Sequence, residues 1–266
     1  MAALILAPAY YRARQQFGDV CWTKVLRRSA LPGLILSAHF IAWVAGARLT
    51  PGANATLMVN LMPLAMPFFM YFLYKEKLLR REWLATALAM IGIVILSLED
   101  IQISRAHFHG DMLCLVSMVL FAAYLALARS NLDSVGSVWL YLVPMYTVAG
   151  LASLIIAAAT GPVMPTFEWY NLTMVFLLAT VSTVIGHTAL NYAMQKLRGQ
   201  TVTLTNLLGF CVAAIAGYLM YNEVPGESFY LASAFIVAGL LIVVLNRETE
   251  TRRLSENNDR SEEVRF

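Results

Sequence analysis

Apolar residues in this chain gather into runs of about 16–24 positions separated by short polar connections, and runs of that length match the width of a bilayer core. Runs at 31–48, 54–74, 83–98, 112–128, 138–159, 171–194, 201–221 and 228–246 predict membrane-spanning helices. A further run at 1–11 is too short to cross, since eleven residues cover about 16 Å of a core about 30 Å thick. Pro32 opens its run, where a missing amide hydrogen costs little.

The polar residues inside these runs recur. His39, Asn60-Leu61-Met62-Pro63, Tyr74-Lys75-Glu76 and Gly92 return about 147 positions later as His187, Asn206-Leu207-Leu208-Gly209, Tyr221-Asn222-Glu223 and Gly239. About five runs separate the copies, an odd number, so matching helices point in opposite directions. The predicted fold is an all-α membrane protein, a polytopic helix bundle of two inverted five-helix repeats. Sliding the second copy back puts the partner of 112–128 before Met1 and leaves the partner of 138–159 half present. About nine spans are therefore expected, the first one truncated. The organisation reads as 1–98, an incomplete first repeat; 112–246, the second repeat; and 247–266, whose alternating charges without an apolar face predict a disordered cytoplasmic tail.

Composition agrees with the runs. Hydrophobic residues make up 59% of the chain and charged residues 13%, about half the charged share of a soluble domain. Of the 19 Lys and Arg residues, all but Arg48 and Arg105 fall in alternate connections or the tail. Retention of basic loops on the cytoplasmic side then orients the bundle, with the C-terminus cytoplasmic and the bacterial inner membrane as the expected location. The net charge of +3 is a topology determinant and implies no nucleic-acid partner. The three cysteines lack metal-ligand spacing.

No Asp, Glu, Lys or Arg lies deep in any run, where it would cost about 2.5–3.5 kcal/mol. The interior polar residues are His39, Trp43, Asn60, His187, Asn191 and Asn206. His39 and Trp43 are four apart, on one helix face, and His187 and Asn191 repeat that spacing in the other copy. These residues are candidates for a substrate-binding cavity, with Tyr146 added because it lies far inside its run; Tyr124, Trp139 and Tyr141 read instead as interfacial aromatics. The competing reading is helix-to-helix hydrogen bonding, worth about 0.6 kcal/mol per contact. Pro63 and Gly209, each three residues after an Asn, form a candidate hinge pair, and Glu76 and Glu223 at the helix ends are candidate gates. No catalytic, metal or cofactor site is expected: the chain has no His-Glu-x-x-His helix and no Gly-x-Ser-x-Gly elbow.

The stretch Ala53 to Glu76 with Pro63 midway, followed by Trp83 to Leu98 with Gly92, resembles the EamA half of the drug/metabolite transporter superfamily; Val202 to Glu223 and then Phe229 to Leu245 with Gly239 resemble its second copy. The resemblance implies a ten-helix bundle with both termini in the cytoplasm, moving a small metabolite such as an amino acid or related neutral or zwitterionic solute, usually outward, by alternating access. It departs from the family pattern at Gly209, where a proline is expected. The expected partners are a small-molecule substrate, the lipid bilayer and, as an option, a second copy in a homodimer. A truncated, non-transporting membrane protein and a membrane-embedded enzyme are the alternatives.

Overall fold

The computed structural model describes residues 1–17, 21–98, 105–160, 168–222 and 224–263. Among the described residues twelve α-helical segments follow one another: α1 (Ala2–Phe17), α2 (Trp22–Ala47), α3 (Gly52–Asn60), α4 (Met62–Tyr74), α5 (Arg80–Ser97), α6 (Phe108–Val135), α7 (Val138–Thr160), α8 (Trp169–Leu177), α9 (Thr188–Lys196), α10 (Gly199–Asn206), α11 (Gly209–Tyr221) and α12 (Glu227–Glu263). Between α8 and α9 the helix does not stop but widens into a π-helix, Leu178–His187. Six helical stretches among the described residues are long and apolar enough to cross a membrane, and the chain is an all-α, multi-pass membrane protein.

Several elements differ from the expectation. Helix α1 continues through Arg12 and Arg14 to Phe17, because the polar residues after Tyr11 are good helix formers and extending a formed helix costs little. Helix α2 starts at Trp22, so Pro32 is interior and Lys24, Arg27 and Arg28 stand in its opening turns. Helix α12 runs on to Glu263. The segment after Asn246 contains no Gly or Pro and is rich in Glu and Arg, which propagate a helix already nucleated by the span before it.

The chain divides into two compact units, Met1–Glu76 with Gln102–Val202, and Lys77–Ile101 with Thr203–Phe266. In the first unit α2 lies antiparallel to α6. Arg28 reaches Asn131 at 3.4 Å, His39 meets Ser117 at 2.9 Å, and a Cβ on Gly46 would stand 2.9 Å from the Gly110 carbonyl oxygen. Helix α2 is parallel to α7: Ser29 donates to the Tyr141 carbonyl at 3.1 Å, Gly33 sits against the Met145 carbonyl, and Ser37 and Ser153 share a hydrogen bond at 2.8 Å. Segments α3 and α4 run beside α6 in its direction, with Thr50 and Asn54 on Asp111 at one end and Tyr74 on the Ala126 carbonyl at the other. These directions are the ones that up-and-down threading demands.

In the second unit α5 and α12 pack antiparallel through small residues. A Cβ on Gly92 would lie 2.6 Å from the Ala232 carbonyl oxygen, and a Cβ on Gly239 would lie 2.6 Å from that of Ala85. With lipid tails as apolar as the helices, this close backbone approach is what holds such a pair together.

Local backbone geometry also repeats. Helix α3 ends at Asn60 and α4 restarts at Met62, while α10 ends at Asn206 and α11 restarts at Gly209. Both breaks carry three-residue hydrogen bonds, Leu61 to Met58 at 3.3 Å in one, Leu207 to Leu204 at 3.2 Å and Leu208 to Thr205 at 3.0 Å in the other. The next helix in each case ends on a left-handed residue, Lys75 (φ 55°) and Asn222 (φ 54°).

Candidate functional site

A cavity of about 540 Å³ opens inside the first unit. Helix α2 contributes His39, Phe40 and Trp43, α3 contributes Thr56 and Asn60, and α7 contributes Tyr146 and Ser153. The π-helix closes the ring with Leu178, Ser182, Thr183 and His187. A π-helix bonds each N–H to the carbonyl five residues back, so positions roughly four to five apart share a face. That register is what lines up Leu178, Ser182, Thr183 and His187 on the cavity; ordinary α-helical winding would rotate the ends of this row away from one another.

Aromatic rings pack the two histidines in place. His39 stacks on Phe121 with ring centres 4.8 Å apart, Phe40 meets His187 edge-on at 5.2 Å, and the two imidazoles are 6.2 Å apart. His39 Nδ1 is 2.9 Å from the Ser117 carbonyl oxygen and 2.8 Å from the Ser117 hydroxyl. His187 Nδ1 is 2.5 Å from the Tyr124 hydroxyl. Tyr146 donates to the Thr183 carbonyl at 3.4 Å and lies 3.3 Å from the Thr188 hydroxyl.

Of the residues singled out from the sequence, His39, Trp43, Asn60, Tyr146 and His187 line this one cavity. Asn60 caps the end of its own helix by donating to the Thr56 carbonyl at 2.7 Å. Asn191 does not reach the cavity; it is fully buried behind His187 and donates to that residue's carbonyl at 2.7 Å. Asn206 belongs to the other unit, because its helix changes unit after Val202, and it does not line the cavity. Pro63 sits in the first turn of α4, just after the break, where its missing amide costs nothing; its carbonyl accepts from Gln200 at 3.0 Å. Gly209 opens α11 and has no atom within 4 Å of a built Cβ. Glu223 lies outside the described residues.

Tyr124 and Tyr141 are fully buried and are not interfacial. Tyr124 lies midway along α6, which continues seven residues past the expected end of its run, well away from the helix end. Ser117, Phe121 and Tyr124 share one α6 face at spacings of four and three; that spacing was the available signal for their role.

The cavity lies toward one end of the unit. Beyond it, at the end where Arg28 and Asn131 meet, the helices are sealed by Met66, Met70, Tyr141 and Met194, all buried, and by Met70 packed tightly on Gly199. Glu76 closes that end: it pairs with Arg129 at 2.5 Å and with Arg198 at 3.4 Å, tying the α4 terminus to α6 and to the turn before α10. Among the described residues no charged side chain lines the cavity, and its polarity comes from imidazole, amide and hydroxyl groups on an aromatic frame.

The S-adenosylmethionine uptake transporter of Rickettsia bellii (strain RML369-C) is 23% identical over 221 residues, 82% of this chain and 72% of that one. The protein of the same name from Rickettsia prowazekii (strain Madrid E) is 22% identical over 218 residues, 82% and 71% of the respective chains. A solved crystal structure shares the fold with a TM-score of 0.74 at 19% identity, covering 95% of this chain and 86% of its own. The sequence profile of the EamA-like transporter family matches residues 1–98 and 108–245, nearly the whole length up to the charged tail, and the chain belongs to that family.

Proposed function

We propose that this protein carries a small amino-acid-derived, neutral or zwitterionic metabolite across the bacterial inner membrane by alternating access. The observation that carries the reading is the cavity of about 540 Å³ in which His39, Asn60, Tyr146 and His187 converge without a charged side chain. A volume of that order accommodates a metabolite of a few tens of atoms. The names of the Rickettsia relatives, S-adenosylmethionine uptake transporters, support a substrate of this size that contains an amino-acid moiety; S-adenosylmethionine itself adds a sulfonium cation to that zwitterion, and the amino acids in the panel below separate the two charge classes. They also favour inward movement over the outward movement expected from the sequence; in alternating access the gradient and not the fold sets direction.

On this reading the basic end is cytoplasmic, the tail included, and the conformation is closed there and open on the other side. Glu76 with Arg129 and Arg198 is the cytoplasmic gate, and the helix breaks after Asn60 and after Asn206 are the two hinges, with Pro63 and Gly209 at their far sides. Asn191 supports His187 from behind. Two inverted repeats account for the paired breaks and for the antiparallel α5 and α12. The test is uptake of radiolabelled S-adenosylmethionine and of a panel of amino acids into proteoliposomes, compared with Ala179→Trp, which places an indole in the cavity wall. Saturable flux lost in the variant supports the reading; equal flux in both overturns it.

A further inference from the structure

His39 and His187 occupy matching places in the two halves of the sequence, yet their surroundings fix opposite tautomers. A carbonyl oxygen can only accept, so at 2.9 Å from the Ser117 carbonyl the Nδ1 of His39 must carry the hydrogen. The Ser117 hydroxyl agrees: it donates to the His39 carbonyl at 3.2 Å and leaves its lone pairs to Nδ1. The Nε2 of neutral His39 is then a bare acceptor.

The Tyr124 hydroxyl reverses this at His187. It is fully buried, and a buried hydroxyl that donates to nothing is costly. Asn191 does not accept from it: the Asn191 Oδ1 has no partner, and its Nδ2 is a donor, to the His187 carbonyl at 2.7 Å and toward the Tyr124 oxygen. The acceptor within reach is His187 Nδ1 at 2.5 Å, so the hydrogen of neutral His187 sits on Nε2. Neither Nε2 has a hydrogen-bond partner among the described residues, neither is among the buried unpartnered atoms, and both rings line the cavity.

We propose that these two imidazoles form a donor–acceptor pair that selects a planar ligand group carrying an N–H beside a hydrogen-bond acceptor, as a carboxamide or an aminopurine edge does. The ligand N–H is received by His39 Nε2 and its acceptor by His187 Nε2–H, with ring centres 6.2 Å apart and the Phe40 and Phe121 rings beside them to stack on the plane. A carboxylate has acceptors only and meets the His39 lone pair, so it is disfavoured here. Tyr124 and Ser117 are positioning residues, acting through the imidazoles. The assignment rests on the cavity being the substrate site, but its test does not use transport.

The test is nitrogen NMR of the full chain in lipid bilayers, labelled with 15N-histidine and carrying His107→Gln and His109→Gln so that two imidazoles remain of the four in the chain. The expected spectrum has one ring protonated at Nδ1 and one at Nε2. In Tyr124→Phe the second ring loses its single tautomer and the first keeps its own. Two rings of the same tautomer, two charged rings, or no change in Tyr124→Phe overturns the assignment. Equilibrium binding then reads the ligand class with nicotinamide against nicotinate and adenosine against purine riboside, which lacks the exocyclic amine. The amide or amine member of a pair is expected to bind about tenfold more tightly, with the difference falling below about threefold in Tyr124→Phe. Equal binding within both pairs, or binding of none of the four at millimolar concentration, overturns the ligand class. Intact tautomers and ligand preference in a protein that moves no solute would instead sink the transporter reading alone.

Discussion

Gly92 and Gly239 play the same part on facing helices: each lets its backbone press on the carbonyl of an alanine seven residues before the other, Ala232 and Ala85, with a Cβ-to-oxygen separation of 2.6 Å in both cases. The two glycines are 147 positions apart, and so are the two alanines. A reciprocal, antiparallel contact between matching helices is what a two-fold axis between inverted copies produces.

Substituting either glycine by leucine drives a side chain into backbone that cannot yield. Gly92→Leu and Gly239→Leu are each expected to destabilise the protein by about 1–3 kcal/mol, read as a lowered midpoint in thermal unfolding in detergent. Gly209→Ala, where no atom stands within 4 Å, is the control and leaves the midpoint unchanged.

Asp111 stands at the end opposite the basic one, accepting from Thr50 at 2.6 Å and from Asn54 at 3.2 Å. It fastens the start of α3 to the start of α6. Asp111→Ala leaves both donors without their acceptor and is expected to cost about 1–3 kcal/mol, with Thr50→Val costing less because Asn54 keeps its bond. The same midpoint measurement decides; an unchanged midpoint in Asp111→Ala would mean that water replaces the carboxylate freely.

Glu76 is only 13% exposed, but its partners Arg129 and Arg198 are 29% and 33% exposed, so each pair contributes modestly, on the order of 1 kcal/mol. Such a value is too small to hold a fold and large enough to bias a two-state gate several-fold. Glu76→Gln is therefore expected to keep the unfolding midpoint and to raise the labelling rate of a cysteine placed at Met66 by a reagent added from the basic side. Unaltered labelling would remove Glu76 from the gate.

Part of this architecture was legible in the sequence because bilayer width and backbone saturation constrain a membrane chain heavily: apolar runs of the expected kind include the six stretches long and apolar enough to cross a membrane, and the repeated Asn positions fall at the helix breaks, whereas the contact of α5 with α12 through Gly92 and Gly239 was not expected. Side-chain placement was legible only in part. The four-residue spacing of His187 and Asn191 is the same as that of His39 and Trp43, but the π-helix ending at His187 turns His187 to the cavity and leaves Asn191 behind it. Asn206 matched Asn60 in spacing, yet its helix crosses from one unit to the other. The buried placement of Tyr124 and the opposite tautomers of the histidines depend on neighbours 63 and 78 positions away, which no local pattern encodes.

The central claim is that solute passes through the cavity between His39 and His187. Its most direct measurement is flux of radiolabelled S-adenosylmethionine and amino acids into proteoliposomes holding either the unaltered protein or Ala179→Trp, both first shown to be folded by their unfolding midpoints. Saturable uptake by the unaltered protein, abolished in the variant, is the predicted result; flux that is indifferent to the indole, or absent from the folded unaltered protein for every solute, would contradict it.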